Sequence, residues 1–201
     1  MTTRAKLGRV LLAVGLPVAL AVAVAIYVRS NPIIFNESFF GHAHCIKQSG
    51  VDLVMWADEH GGRFPFHTNG YGDALLTVGS NSFLASFTGP GYDTRVFEEA
   101  IANGGDVAEE RCGRVYIQGL WNTNDSQIAI LFDKVSSPGD HRGGFRRLWA
   151  PFGREVGYLG GNMQFIRDPE WPAFAAKQIK LLEAAGIPRT ESERLYSSAV
   201  K

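Results

Sequence analysis

The sequence predicts an α+β chain: a single N-terminal transmembrane helix, then a long helix packed on an antiparallel sheet of about four strands, with a C-terminal amphipathic helix behind it. Three observations carry this. Val10 to Val28 is an uncharged run of 19 residues. Apolar residues between Phe39 and Ala57 follow helical spacing, and beyond Cys112 the pattern shifts to short β-branched and aromatic runs separated by turn residues.

The charges set the orientation of the first element. Of 20 basic and 20 acidic residues, Arg4, Lys6, Arg9 and Arg29 precede the first acid, Glu37, leaving 16 basic against 20 acidic from Ser30 onward. The chain is a basic head on a mildly acidic body, a balance that gives no footing for nucleic-acid binding. A 19-residue apolar helix is long enough to cross a bilayer. The basic residues before it place the N-terminus in the cytoplasm and the body outside, on the periplasmic side of the cytoplasmic membrane. The expected organisation is a cytoplasmic basic head over 1–9, the anchor over 10–28, a linker over 29–35, an extracytoplasmic domain over 36–186 and a frayed tail over 187–201. A cleaved signal peptide is the competing reading, since Ala19-Leu20-Ala21 and Ala21-Val22-Ala23 are small-residue steps. The apolar run continues through Ala25, Ile26, Tyr27 and Val28, which favours the anchor. Both readings place the body beyond the membrane, and in the anchored one the lipid bilayer is the first partner.

In the body, Asn36-Glu37-Ser38 offers capping side chains ahead of a helix reaching His60. Gly61 and Gly62 supply a left-handed C-cap and Pro65 forbids a restart, so these three residues form a structural corner. Residues 66–92 read as a short helix and an irregular loop, and Thr94 to Asn103 as a second short helix. Arg114 to Gln118 and Gln127 to Phe132 read as two strands around the turn Asn122-Thr123-Asn124-Asp125. Glu155 to Leu159 and Asn162 to Ile166 read as a hairpin about Gly160-Gly161. Trp171, Phe174, Ala175, Ile179, Leu181 and Leu182 give the segment 168–186 one apolar stripe, that of a helix covering a sheet face.

Cys45 and Cys112 are the only cysteines. In an oxidising compartment they are a possible disulfide, which would constrain the unfolded chain by roughly 4 kcal/mol; two buried free thiols are the equal alternative. His42-Ala43-His44-Cys45 has ligand-type side chains, but residues two apart diverge by about 200° around a helix, and no metal or other cofactor is expected. No nucleophile elbow, Walker loop, zinc-protease helix motif or dinucleotide fingerprint occurs, so the expectation is a chain that is not an enzyme. The segment His141 to Arg154 carries Arg142, Arg146, Arg147 and Arg154 with Phe145, Trp149 and Phe152 interleaved and no acid. Arg142, Arg146, Arg147, Trp149 and Arg154 are therefore the candidate contacts for an anionic partner, weighed against a solvated loop whose rings tuck onto the sheet.

Cys45-Ile46-Lys47-Gln48-Ser49-Gly50, then Trp56-Ala57-Asp58-Glu59-His60-Gly61-Gly62-Arg63-Phe64-Pro65, form a helix end and a glycine corner. Tyr116-Ile117-Gln118-Gly119-Leu120, Ile130-Leu131-Phe132-Asp133-Lys134, His141 and Tyr158 to Ile166 follow in order. On these motifs, over residues 40–168, the chain resembles the prepilin-like proteins that end in a His-x9-Asp-Gly motif and, more broadly, the pseudopilins of type II secretion. The resemblance implies a pilin-like body and a non-catalytic role in an envelope or secretion assembly, with other envelope or secretion-system proteins as partners. Three departures qualify it. Met1 to Gly8 ends in Gly as a prepilin leader does, but Arg9-Val10-Leu11-Leu12-Ala13 lacks the Phe at the cut and has Ala13 where the family has the Glu that neutralises a neighbour's amine. His141 and Gly160 are separated by 18 residues, so the arginine-aromatic segment is an insertion. Gly160 stands where the family has Asp, removing an oxygen ligand from any calcium site. These departures imply a membrane-retained relative that does not polymerise. The alternative function is a membrane-tethered binding module that recognises an anionic ligand or envelope polymer through 141–154.

Overall fold

The computed structural model describes residues 17–27, 46–78, 87, 89, 92, 95–139 and 149–199. Its elements are α1 (Ile46–Glu59), α2 (Tyr71–Leu76), α3 (Arg95–Asn103), β1 (Arg114–Tyr116), β2 (Ala129–Asp133), β3 (Ser137–Pro138), β4 (Phe152–Tyr158), β5 (Met163–Arg167), α4 (Trp171–Ala184) and α5 (Arg189–Ser198). The architecture is α+β with an antiparallel sheet, as the change of period at Cys112 predicts.

Residues 17–27 are helical and exposed along their length. They belong to the expected anchor, whose remaining residues, 10–16 and 28, lie outside the described residues, as do 36–45, the expected start of the first body helix. Among the described residues no helix is long and apolar enough to cross a membrane.

The sheet is a meander. β1 pairs with β2 and β2 with β4; the short β3 continues the line of β2 along the same edge of β4, and β5 pairs with the other edge. Alternation along β4 separates two faces. Glu155 and Gly157 face α1, and Ile46 is seated against Gly157. Arg154, Val156 and Tyr158 face α4 and α5, with the Tyr158 ring edge-on to Phe174. Both faces are therefore covered, which is why β2 is buried at all five positions and carries no polar alternation. A buried glutamine finishes the sheet. Gln178 of α4 accepts a hydrogen bond from the Ala129 N–H at 2.9 Å and donates to the Gln127 carbonyl at 3.0 Å, satisfying main-chain groups at the start of β2.

The hairpin between β4 and β5 closes where the glycine pair predicts. Gly161 has φ of 79°, its N–H donates to the Tyr158 carbonyl, and the Tyr158 N–H donates to the Asn162 carbonyl. The C-terminus departs from expectation. Residues 187–201 read as frayed, but Arg189–Ser198 is helix α5, with Leu195, Tyr196 and Ala199 buried. Tyr196 stacks on Phe132 at 4.7 Å between ring centroids. Leu195, Tyr196 and Ala199 do this work in a stretch, 189–199, whose other residues are Arg, Glu, Ser and Thr, too narrow a stripe to register in composition. Gly186, at φ of 89°, ends α4, and the Pro188 carbonyl accepts the Ser192 N–H as α5 begins.

Candidate functional site

The expected partner loop divides. Arg142, Arg146 and Arg147 lie outside the described residues, and Trp149 is 79% exposed. Arg154 is not at the surface, which corrects its assignment as a contact for an anionic partner. Its place in β4 turns it onto the α4 and α5 face, where it is buried. It donates to Asp168 Oδ1 at 3.0 Å and to the Ala199 carbonyl, and lies over the Trp171 ring at 4.7 Å. Burial lowers its pKa from the ordinary guanidinium value, with Asp168 acting in the opposite direction. Arg154 clips the end of α5 to the sheet.

The glycine corner adopts a fixed geometry. Gly61 and Gly62 have φ of 67° and 86°, and the Gly62 N–H donates to the Ala57 carbonyl at 2.7 Å. The Pro65 carbonyl accepts the buried Tyr116 hydroxyl at 2.9 Å. Cys112 is a buried free thiol whose pKa burial pushes up to about 12; Cys45, His42, His44 and His141 lie outside the described residues. Among the described residues no group of three His, Cys, Asp or Glu side chains is placed to hold a metal ion. His60 stacks flat on Trp56 at 3.7 Å. His67 accepts the Asn69 N–H at Nδ1, which stands 3.6 Å from Asp73 Oδ2. Asp73 itself accepts the Val107 N–H at 2.6 Å, and thus holds the chain before the 3-10 turn Glu109–Arg111.

Two clefts flank that turn, of about 320 Å³ and about 250 Å³. Tyr71 and Glu109 line both. Lys134 and Arg194 stand in the larger; Gln118, Ile187 and Leu195 in the smaller. Arg194 is engaged with two carboxylates and Lys134 with main-chain carbonyls. Arg194 donates to Glu109 Oε2 and to Glu191 Oε1, each at 2.6 Å. Lys134 Nζ donates to the Glu109 carbonyl at 2.8 Å and is pulled below the usual amine range by burial. Tyr71 donates to the same carbonyl, and burial raises its phenol well above the ordinary value.

A second charged cluster sits deeper. Arg114 donates through Nε to Asp133 Oδ1 at 3.0 Å and through Nη1 to Ser49 of α1 at 3.2 Å, while Asp133 Oδ2 accepts the Glu155 N–H at 3.2 Å. Sequence reasoning passed over Arg114, Asp133, Glu109 and Arg194. The one signal for the first two is charge inside runs otherwise composed of strand-forming residues, Arg114 at the head of Arg-Val-Tyr-Ile and Asp133 at the foot of Ile-Leu-Phe-Asp.

The site is thus a set of charged groups engaged within the chain: Arg114 and Asp133 pair across β1 and β2 with Ser49 of α1 bonded to the arginine, and Arg194 ties α5 to the 3-10 turn through Glu109. Comparison with protein-family models, with curated proteins and with solved structures found no match.

Proposed function

We propose that the chain is a non-catalytic, membrane-anchored scaffold or assembly component related to pseudopilins, retained in the cytoplasmic membrane through residues 10–28 and not polymerising, with its body on the periplasmic side. The observation that carries this reading is the placement of α1. It follows the apolar segment in the chain, lies across the sheet against β2 and β4, and is fixed there by Ser49 on the buried Arg114–Asp133 pair. A helix tied to the sheet by a buried hydrogen bond as well as by apolar contact is suited to transmit position from an anchor to a body. The charges of the described clefts serve the same end, since Glu109, Arg194 and Lys134 bond to groups of the chain itself.

The test is the mature mass and the sidedness of the membrane-extracted protein. An uncut chain, whose body is digested by protease added outside spheroplasts and protected in inverted vesicles, is expected. A native protein recovered free in solution, a mass cut after Gly8 or near Ala23, or a body reached only from the cell interior would overturn the reading.

The binding-module alternative draws on the exposure of Trp149 beside the basic segment 142–147. Its test is the pair Arg146→Glu and Arg147→Glu: loss of binding to anionic vesicles by a chain that still folds favours the module, and unchanged binding favours the scaffold.

A further inference from the structure

We infer that the glycine corner and the turn after β1 together form a docking surface for a protein segment that presents a carboxylate between apolar side chains, with Arg63 as its centre and Phe66 and Trp121 as its walls. The guanidinium of Arg63 lies 5.8 Å from the centroid of the Phe66 ring and 5.8 Å from that of Trp121. Phe66 is 48% exposed and Trp121 47% exposed. Arg63 is itself exposed, and no carboxylate among the described residues pairs with it. This contrasts with Arg111, Arg114, Arg154, Arg189 and Arg194, each of which faces an acid of the same chain. The nearby Asp58 is occupied otherwise, accepting the side-chain amide of Asn122 at 3.4 Å.

The main chain that carries Arg63 and Trp121 is preorganised. Arg63 and Trp121 form an antiparallel bridge, the Phe64 N–H donates to the Leu120 carbonyl at 3.1 Å, and the Asn122 N–H donates to the Gly62 carbonyl at 2.8 Å. The Trp121 N–H donates to Asn124 Oδ1 at 2.7 Å, which closes the turn. Main chain held in this way leaves little entropy to be lost when a partner arrives.

Charge complementarity selects the occupant. Guanidinium presents a planar fork matched to a carboxylate, and here two aromatic rings stand beside it, each with its centroid 5.8 Å away. The flanks add apolar area that a free phosphate or a sulfate has nothing to cover, whereas a peptide carrying Asp, Glu or its own C-terminal carboxylate beside apolar side chains covers both. Tryptophan and arginine are also the residue types that dominate binding energy at protein interfaces. The inference rests on the scaffold reading for its purpose, since a scaffold needs a partner surface, but its test does not depend on where the chain is held.

The experiment uses the full chain in detergent and a fluorescein-labelled peptide of alternating leucine and glutamate, with the glutamine counterpart as control, read by anisotropy. Saturable binding of the glutamate peptide is expected, weakened about tenfold or more by Arg63→Leu and by Trp121→Ala and unchanged by Arg111→Gln. The glutamine peptide is expected to bind no better than the glutamate peptide binds Arg63→Leu. Circular dichroism confirms that Arg63→Leu folds, and this exposed substitution carries the test if Trp121→Ala does not fold. Absence of saturable binding, equal binding of the two peptides, or equal binding by Arg63→Leu would overturn the inference. So would self-association of the chain that is lost in Arg63→Leu and that the peptide does not inhibit, since the occupant would then be a second copy. None of these results bears on the mature mass or the sidedness of the body, so the two readings fail separately.

Discussion

Arg114 and Asp133 are direct cross-strand partners in the β1–β2 register, and their side chains meet as an ion pair at 3.0 Å with each 1% exposed. Taking two charges out of water is costly, and the cost is offset here by the further bonds to Ser49 and to the Glu155 N–H. The pair sits where α1 meets the sheet, so it fixes which residues of the helix face which strands. Burial makes it a device of position more than of stability.

The first prediction follows from that asymmetry. Arg114→Met leaves the Asp133 carboxylate buried without the cation that bonds it and is expected to cost about 3–5 kcal/mol at pH 7.5. Arg114→Met combined with Asp133→Leu removes both charges and is expected to be closer to wild type than Arg114→Met alone. Urea unfolding followed by far-UV circular dichroism measures both. A double variant less stable than the single would show that Asp133 without Arg114 is not a costly buried charge, which would overturn the premise.

Asp133 also carries a pH dependence. Burial raises its pKa to about 6 from 3.8, with Arg114 pulling it down and Glu155 pushing it up. Between those values the folded chain keeps a proton that the unfolded chain has released, so the contribution of Asp133 to stability is fully present below 3.8 and is lost as the pH rises through about 6. Glu155→Gln removes the neighbouring negative charge, lowers the Asp133 pKa and is expected to flatten the fall in stability between pH 4 and pH 6. Denaturation midpoints at half-unit intervals test it, and an unchanged slope would exclude the coupling.

Much of the fold was legible because periodicity reports burial. The hairpin about Gly160-Gly161, the helix from Trp171 and the corner at Gly61 and Gly62 follow from apolar spacing and from glycine at positive φ. The charged contacts were not legible, since nothing in a single sequence says that Arg114 and Asp133 come to face one another or that Arg154 turns inward. Strand alternation alone leaves Arg154 free to face either side; which side is covered depends on α4 and α5, set by residues far along the chain. The helix α5 was missed for a related reason: its partners, Phe132 and Trp171, lie outside its own sequence.

The role of α5 as a packed element predicts the effect of its removal. Tyr196→Ala deletes a ring stacked on Phe132 and edge-on to Phe174 and is expected to cost about 3–5 kcal/mol. Ending the chain at Ile187 should destabilise it further, since it also removes the Ala199 carbonyl that Arg154 bonds and the Arg194 contact to Glu109. Thermal unfolding of both variants is the measurement. Unchanged midpoints would show that α5 contributes nothing to the body.

Two glycines give predictions of opposite sign. Gly153 pairs with Arg167 across β4 and β5, and a methyl group added there would stand 2.2 Å from the Ile166 carbonyl oxygen and 2.8 Å from the Phe165 ring. The first of these is main chain in a paired strand and cannot retreat without breaking the register. Gly153→Ala is therefore expected to destabilise by about 1–3 kcal/mol or more. Gly50 lies inside α1, and a methyl group there would meet nothing within 4 Å among the described residues. Gly50→Ala is expected to stabilise by about 0.5–1 kcal/mol, because alanine loses less backbone freedom on entering a helix. The two variants differ from wild type by the same methyl group, so the sign in each case reads local geometry rather than composition. Chemical denaturation of the three proteins side by side decides the matter; a stabilised Gly153→Ala would mean that β4 and β5 do not pair in the register given above.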